Sequence, residues 1–202
     1  MNFRLRSPHW FVLTWLAATV ASHAQPVHWT TNFYSVTGSN FREIRQSIER
    51  SRPWKDSFDG DTRWTVGWNF NLTQTPAGCS FTSFRTTTTI VTTMPRWTPP
   101  PDIAPEVKGQ WTRYFTNLLQ HEVGHARIGM AAAAEVDKQI RQMTSTSDCE
   151  TLRRAINERA ERIVEEHRAR DREYDRQTNH GRQTNDPPWR TRRDQPFPPP
   201  QR

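Results

Sequence analysis

Residues 105–141 read PEVKGQWTRYFTNLLQHEVGHARIGMAAAAEVDKQIR, and this stretch is the most informative part of the chain. Its aromatic and aliphatic residues recur at helical spacing, and Pro105 suits the first turn of a helix. The sequence therefore predicts one long helix from Pro105 to about Ile140. His121 and His125 are four positions apart, so their side chains project from the same face of this helix, one turn apart.

The segment His121–His125 is an HExxH motif on a face that also carries apolar side chains, including those of Leu118 and Ile128. Histidines that point into a protein need polar partners, and a metal ion is one such partner. Two imidazoles at this spacing can both reach one Zn²⁺ at about 2.0–2.1 Å. Glu122, beside them, is suited to accept a proton from a water molecule that the metal activates. The motif therefore predicts a catalytic zinc site.

Gly124 lies in the middle of the motif, where glycine costs a helix about 1 kcal/mol relative to alanine. A close approach by another part of the chain would explain the glycine. We therefore expect a neighbouring element to touch the helix at Gly124.

A catalytic zinc site needs a third protein ligand and one open position, and a second helix is the expected source of that ligand. If the two helices form a hairpin that turns near Thr146, position 125 lies opposite about position 167. This register would bring His167, Asp171 and Tyr174 close to the histidine pair, and His180 follows just after the second helix. From the residues alone, the third ligand can be His180, His167 or Asp171.

The part of the chain before this helix shows a β pattern. Residues 29–36 and 81–93 are rich in β-branched and aromatic residues, and a third stretch alternates strictly between apolar and polar positions. The apolar positions of that stretch are Trp64, Val66, Trp68, Phe70 and Leu72. Asn40 and Glu43 resemble the capping box of a short helix between the first two strands. We therefore expect an α+β domain with an N-terminal antiparallel β region, followed by the HExxH helix and a second long helix.

The N-terminal residues 1–24 have the features of a signal peptide. Arg4 and Arg6 precede an apolar segment, residues 10–20, that is too short to span a bilayer, and Ala24 ends a small-residue cleavage pattern. We therefore expect a protein exported to the periplasm or secreted, with no membrane span in its mature form. In an oxidising compartment, the two cysteines, Cys79 and Cys149, are expected to form a disulfide bond.

The composition narrows the class of protein further. Only 33% of the 202 residues are hydrophobic, which excludes a polytopic membrane protein. The net charge of +7 could indicate a nucleic-acid partner, but no recognised nucleic-acid-binding motif accompanies it, so no such partner is expected.

Residues 182–202 are mainly Pro, Arg, Gln and Asp and are expected to form a disordered basic tail. This leaves residues 25–181 as the folded domain.

Several separate motifs together resemble a bacterial family of secreted, zinc-dependent, HExxH zincin-like proteases that is catalogued as a domain of unknown function. The resemblance covers about residues 27–181. It is carried by Tyr34–Gly38, Phe58–Trp64, Cys79, Met94–Trp97, Trp111 with Tyr114, His121–His125, Cys149, and Tyr174-Asp175 with Thr178 and His180-Gly181. At its end the chain continues with Arg182–Asn185, where such proteins often have a Gln-Gly type of segment.

The resemblance implies a zincin-like fold in which His121, His125 and His180 bind Zn²⁺ and Glu122 is the catalytic base. Tyr174 is expected to donate a hydrogen bond to the oxyanion of a tetrahedral intermediate; alternatively, its ring closes the end of the helix. The expected activity is hydrolysis of a peptide bond in a peptide, an envelope protein or a peptidoglycan stem. The alternative is a non-catalytic envelope-binding or scaffold protein, in which the HExxH motif is structural or inactive.

Overall fold

A computed structural model of the chain describes residues 25–143, 146 and 148–181. The predicted signal peptide and the predicted basic tail lie outside these residues. The elements are β1 (Val27–Val36), α1 (Phe41–Ser51), β2 (Asp61–Thr75), β3 (Gly78–Trp97), α2 (Pro105–Arg141) and α3 (Cys149–Thr178). The expected α+β class is confirmed, with a three-stranded sheet preceding two long helices.

The sheet is mixed, so the expectation of an antiparallel β region is correct only for β2 and β3. The strand order is β1-β3-β2, with β2 antiparallel and β1 parallel to β3. β3 follows β2 through a tight turn and inserts between the other two strands. β2 starts at the end of the sheet where β1 finishes, so it runs back against the direction of β1. β3 reverses direction again after the turn and is therefore parallel to β1. Alternation of apolar residues has the same period in both kinds of pairing and cannot distinguish them.

The main core lies between one face of the sheet and the two long helices. Trp64 and Ile90 from the sheet pack there with residues of α2 and α3. The helix residues of this cluster are Ala126, Ala132, Val136, Ile140, Leu152, Ile156, Ala160, Ile163 and Val164. Within the part of the chain that the structure describes, no helix combines the length and apolar character needed to cross a membrane.

α1 covers a second, smaller core at the end of β1. Ile44 and Ile48 are fully buried against Val36 and Trp97. The predicted capping box is confirmed at the start of this helix, because the Asn40 side chain accepts a hydrogen bond from the Glu43 amide at 3.0 Å. These contacts fix α1, and the segment that follows it, beside the first half of α2.

The predicted disulfide between Cys79 and Cys149 is present and joins the start of β3 to the first residue of α3. Two backbone hydrogen bonds support it, from the Cys79 amide to the Thr146 carbonyl at 2.7 Å and from the Thr146 amide to the Cys79 carbonyl at 3.3 Å. The bond therefore ties the sheet to α3, the helix that completes the candidate site.

Candidate metal centre

Three side chains from the two long helices bring one potential ligand atom each to a single point. His121 and His125 project from α2, and Asp175 lies near the end of α3. The two Nε2 atoms are 3.1 Å apart, and Asp175 Oδ1 lies 3.2 Å from that of His121 and 3.1 Å from that of His125. Among the described residues, this is the group of His, Cys, Asp and Glu side chains that could hold a metal ion.

The spacing of these atoms fits a tetrahedral zinc site. Ligand atoms at 2.0–2.1 Å from a tetrahedral Zn²⁺ lie about 3.3–3.4 Å from one another. The observed separations of 3.1–3.2 Å are close to this value. His121 and His125 are only 4% and 6% exposed, so water does not readily solvate the ring nitrogens. The residues present therefore fit a bound zinc ion.

Hydrogen bonds on the far side of each imidazole direct its Nε2 atom toward this point. His125 Nδ1 donates to Asp171 Oδ1 at 2.8 Å. His121 Nδ1 lies 3.2 Å from Thr178 Oγ1, whose hydroxyl donates to the Tyr174 carbonyl at 2.7 Å and is left to accept from the imidazole. When a ring is neutral, its partner therefore places the proton on Nδ1, which is the tautomer that leaves Nε2 free for a metal.

The charges of the group also favour a cation. Burial lowers the pKa of His125, but hydrogen bonds to Asp171 and Asp175 outweigh it and raise that pKa to about 10. Burial raises the pKa of Asp175, but hydrogen bonds from His121 and His125 outweigh it and hold that pKa well below its usual range. Burial lowers the pKa of His121. The two carboxylates therefore draw positive charge to this position, and a divalent metal would supply it.

Glu122 is buried next to the group, with an exposed fraction of 2%. Among the described residues, its Oε2 atom has no hydrogen-bond partner. Burial raises the pKa of Glu122 to about 7, although the neighbouring charge of His125 and a hydrogen bond from Thr62 both lower it. The backbone at Gly60 lies against this carboxylate, since a Cβ built there would be 2.5 Å from Glu122 Oε1. A buried carboxylate with one open oxygen is a suitable acceptor for a proton from water.

The expected close approach at Gly124 is confirmed, and the approaching residue is Tyr174. A Cβ at Gly124 would lie 2.3 Å from the Tyr174 hydroxyl oxygen. That hydroxyl donates to the His121 backbone carbonyl at 3.3 Å, and the ring stacks on the His121 imidazole with centroids 5.0 Å apart. These contacts hold α3 against the motif. The role of Tyr174 as an oxyanion donor stays a prediction.

His180 lies beside the group rather than within it. Its Nδ1 is 3.3 Å from Asp175 Oδ1, its side chain is 47% exposed, and its ring stacks on Phe58. The segment Asn179–Gly181 has three successive positive φ angles, which turn the chain back so that Gly181 lies against His121. His180 is thus close enough to reach the site, and its role as a metal ligand stays a prediction.

The other two candidates for third ligand have different positions. Asp171 contacts His125 through the Nδ1 atom, on the side of the ring away from the proposed metal. His167 Nδ1 donates to the Ile163 carbonyl and its Nε2 faces Arg170, so it does not belong to the group. The observed hairpin register differs from the expected one by about one turn, because position 125 lies opposite 171; of the three residues expected near the histidine pair, Asp171 and Tyr174 contact it and His167 does not.

Asp175 is the functional candidate that the sequence interpretation did not propose as a ligand. It lies four positions after Asp171, on the same face of α3, and directly after Tyr174. This i,i+4 pair of carboxylates is the signal that could have identified it.

Comparison with known proteins identifies a family. Residues 31–181, well over half of the chain, match the family described as bacterial proteins of unknown function (DUF922). No curated protein and no solved structure gives a significant match. The matched range includes β2, β3 and the second part of β1, both long helices, the disulfide and every residue of the metal group. The chain therefore belongs to the DUF922 family of bacterial proteins.

Proposed function

We propose that this protein is a zinc-dependent metallopeptidase. One observation carries the proposal: three potential ligand atoms, from His121, His125 and Asp175, lie 3.1–3.2 Å from one another beside the Glu122 carboxylate, whose Oε2 has no hydrogen-bond partner among the described residues. A purely structural pair of histidines would not need a buried carboxylate with an unbonded oxygen next to it, because burying such an oxygen costs folding free energy.

The proposed chemistry divides between the metal and the protein. A Zn²⁺ ion held by His121, His125 and Asp175 would polarise the scissile carbonyl and lower the pKa of a water molecule. Glu122 accepts a proton from the attacking water and returns it to the amine that leaves. Asp171 and Thr178 keep the two imidazoles in the required tautomer and orientation.

The sheet offers a place for an extended substrate next to this centre. β2 is an edge strand, and its first residues, Asp61 and Thr62, lie beside Glu122. A peptide can add to the free edge of such a strand through main-chain hydrogen bonds, largely independently of its side chains. A peptide or envelope-protein substrate is therefore the proposed class.

The disulfide supports the proposed location outside the cytoplasm. Cys79 and Cys149 account for both cysteines of the sequence, and both are in the bond. Stable disulfides form mainly in oxidising compartments. Together with the signal-peptide pattern at residues 1–24, this supports a periplasmic or secreted enzyme.

Substitution of Glu122 by Gln tests the function. We expect Glu122→Gln to retain zinc and to lose about 10²–10⁴-fold in the rate of protein or peptide cleavage, because the proton acceptor is gone. Cleavage is measured by mass spectrometry on a mixed peptide library, with zinc measured in the same samples. Glu106→Gln, an exposed change in the first turn of α2, is the matched control and should cleave normally.

Two results would contradict the proposal. Cleavage that survives at full rate in Glu122→Gln would remove this residue from the chemistry. Binding to an anionic envelope polymer that needs no metal and disappears when residues 182–202 are deleted, in a protein that cleaves nothing, would favour the non-catalytic binding protein instead.

A further inference from the structure

A cavity of about 280 Å³ opens beside the metal group, on the side where α3 ends. His180 and Gly181 line it, and they also contact Asp175 and His121 respectively. The opposite walls come from α1, α2 and the segment before β2; their principal residues are Phe41, Arg45, Phe58, Asp59, Tyr114 and Leu118. A substrate residue next to the scissile bond could therefore reach this cavity.

The walls of the cavity combine aromatic surface with the ion pair of Arg45 and Asp59. Phe41 and Tyr114 meet edge to face with ring centroids 5.8 Å apart, and Phe58 stacks on His180 at 5.9 Å. Packed rings of this kind form fixed apolar walls that can contact a substrate side chain. Arg45 is the cation that lines the same cavity.

Arg45 makes its hydrogen bonds to the protein through one nitrogen, Nη1, and its other two guanidinium nitrogens are available to a ligand. Its Nη1 donates to Asp59 Oδ2 and to the Tyr114 hydroxyl. Within the described residues, its Nε and Nη2 atoms have no hydrogen-bond partner, and its side chain is 28% exposed. Nε and Nη2 form the edge of a guanidinium that binds a carboxylate through two parallel hydrogen bonds.

The charge around Arg45 is compatible with an anion. A second guanidinium, that of Arg52, lies 3.6 Å from Asp59 Oδ1, so Asp59 is paired with two guanidinium groups, while the charge of Glu49 also acts on Arg45. The Tyr114 hydroxyl donates to Asp59 Oδ2 at 2.9 Å and remains neutral, because burial raises its pKa. The charge of Asp59 is therefore matched by two guanidinium groups, and the free edge of Arg45 lies beside a cavity with aromatic walls.

We propose that this cavity is a substrate subsite that binds a carboxylate through Arg45. The carboxylate is either the C-terminal group of the peptide or an acidic side chain, since both present the same two oxygens to the guanidinium. The inference deepens the proposed function and rests on it for the identification of the ligand as a peptide. The binding itself requires no turnover, so it can be tested separately.

The test is an NMR titration of the full chain, in its zinc-containing form, with four small probes. N-acetyl-phenylalanine and N-acetyl-glutamate α-amide present a terminal and a side-chain carboxylate, respectively. N-acetyl-phenylalaninamide and N-acetyl-glutaminamide are their uncharged counterparts. We expect at least one acid to bind at least 10-fold more tightly than its amide, with shifts at Phe58 and Leu118; the acid that does so identifies the source of the carboxylate.

Variants of α1 complete the test. Arg45→Met should abolish the preference for the acid, and Arg50→Met, an exposed change on the same helix, should keep it. Equal affinity for acid and amide in the unsubstituted protein would overturn the proposal without any variant. An acid preference that persists in Arg45→Met would also overturn it, because the carboxylate would then bind elsewhere, for example at the metal. These outcomes differ from failure of the peptidase proposal, which is read from cleavage and zinc content.

Discussion

Asp171 and Thr178 act on the proposed metal centre without being among the three atoms that surround it. Each accepts a hydrogen bond from the Nδ1 atom of one imidazole, at 2.8 Å for Asp171 and 3.2 Å for Thr178. In the neutral ring this bond favours the tautomer with its proton on Nδ1. An imidazole without such a partner can rotate or change tautomer, and its metal affinity falls. The proposed centre therefore consists of three residues that face the metal position and two further residues that orient the imidazoles.

Loss of the Asp171 carboxylate should weaken zinc binding by about 10–100-fold, because His125 is then no longer fixed with Nε2 toward the metal. The variant is Asp171→Ala, and the affinity is measured by competition with a chelator of known zinc affinity. Asp137→Ala is the control, since Asp137 pairs with Arg141 at the other end of α2. Equal zinc affinities in the two variants would contradict this role.

The histidine pair could be predicted from the sequence. Of the two carboxylates that contact it, Asp171 was among the expected candidates and Asp175 was not. His121 and His125 share one helix, so their geometry follows from local periodicity. Their partners Asp171 and Asp175 lie 46 and 50 positions beyond His125, and their positions depend on how α3 packs on α2. Because α3 packs about one turn away from the expected register, Asp171 and not His167 contacts His125.

At the level of the helix, two glycines of α2 have opposite surroundings. At Gly124 an added Cβ would collide with the Tyr174 ring, whereas at Gly109 its nearest neighbour would be the flexible end of Arg113, 3.6 Å away. Gly124 thus permits the close contact between α2 and α3, and Gly109 makes no such contact. Helix propensity alone treats the two positions alike.

The two alanine substitutions should therefore change stability in opposite directions. Gly109→Ala should raise the free energy of unfolding by about 0.5–1 kcal/mol, because alanine favours a helix. Gly124→Ala should lower it by about 1–3 kcal/mol, because α3 must move away from the motif. Urea unfolding of the two variants measures both effects. An equal gain in both would show that α3 does not lie against Gly124.

The strands illustrate what periodicity leaves open. Alternation from Trp64 to Leu72 predicted β2, and the observed strand, Asp61–Thr75, extends beyond it at both ends. Nothing in that pattern indicated that β1 would be parallel to β3, since strand direction depends on where the chain re-enters the sheet. Edge and central strands likewise differ by position in the sheet, not by local sequence.

In the whole molecule, the disulfide is the covalent link between the sheet and the helix that completes the centre. Its two cysteines are 70 positions apart, and closing a loop of that length stabilises the folded state by roughly 4 kcal/mol in the chain-entropy model. The link therefore contributes to holding α3, and with it Asp175, in place.

Removal of the disulfide should lower the free energy of unfolding by about 2–4 kcal/mol. The test is urea unfolding of the metal-free protein, either with dithiothreitol or as the double variant Cys79→Ala and Cys149→Ala. Thiol counting by mass spectrometry confirms that the bond is open in the reduced sample. An unchanged unfolding midpoint with both thiols free would contradict the prediction.

The α+β organisation, the long motif helix and the disulfide could all be predicted from the sequence, because each depends on local pattern or on cysteine count. The cavity beside the site could not, since its walls come from α1, α2 and the segments before β2 and after α3. Arg45 and Tyr114 are 69 positions apart and meet only through the packing of α1 on α2.

Zinc content tests the central claim most directly. Elemental analysis should find one zinc per chain in the unsubstituted protein, none in His121→Ala and Asp175→Ala, and zinc retained in His180→Ala. Loss of zinc in His180→Ala with retention in Asp175→Ala would assign the third position to His180, as the family resemblance implies. Absence of zinc from the unsubstituted protein, even after incubation with the metal, would contradict the metal centre and the peptidase proposal with it.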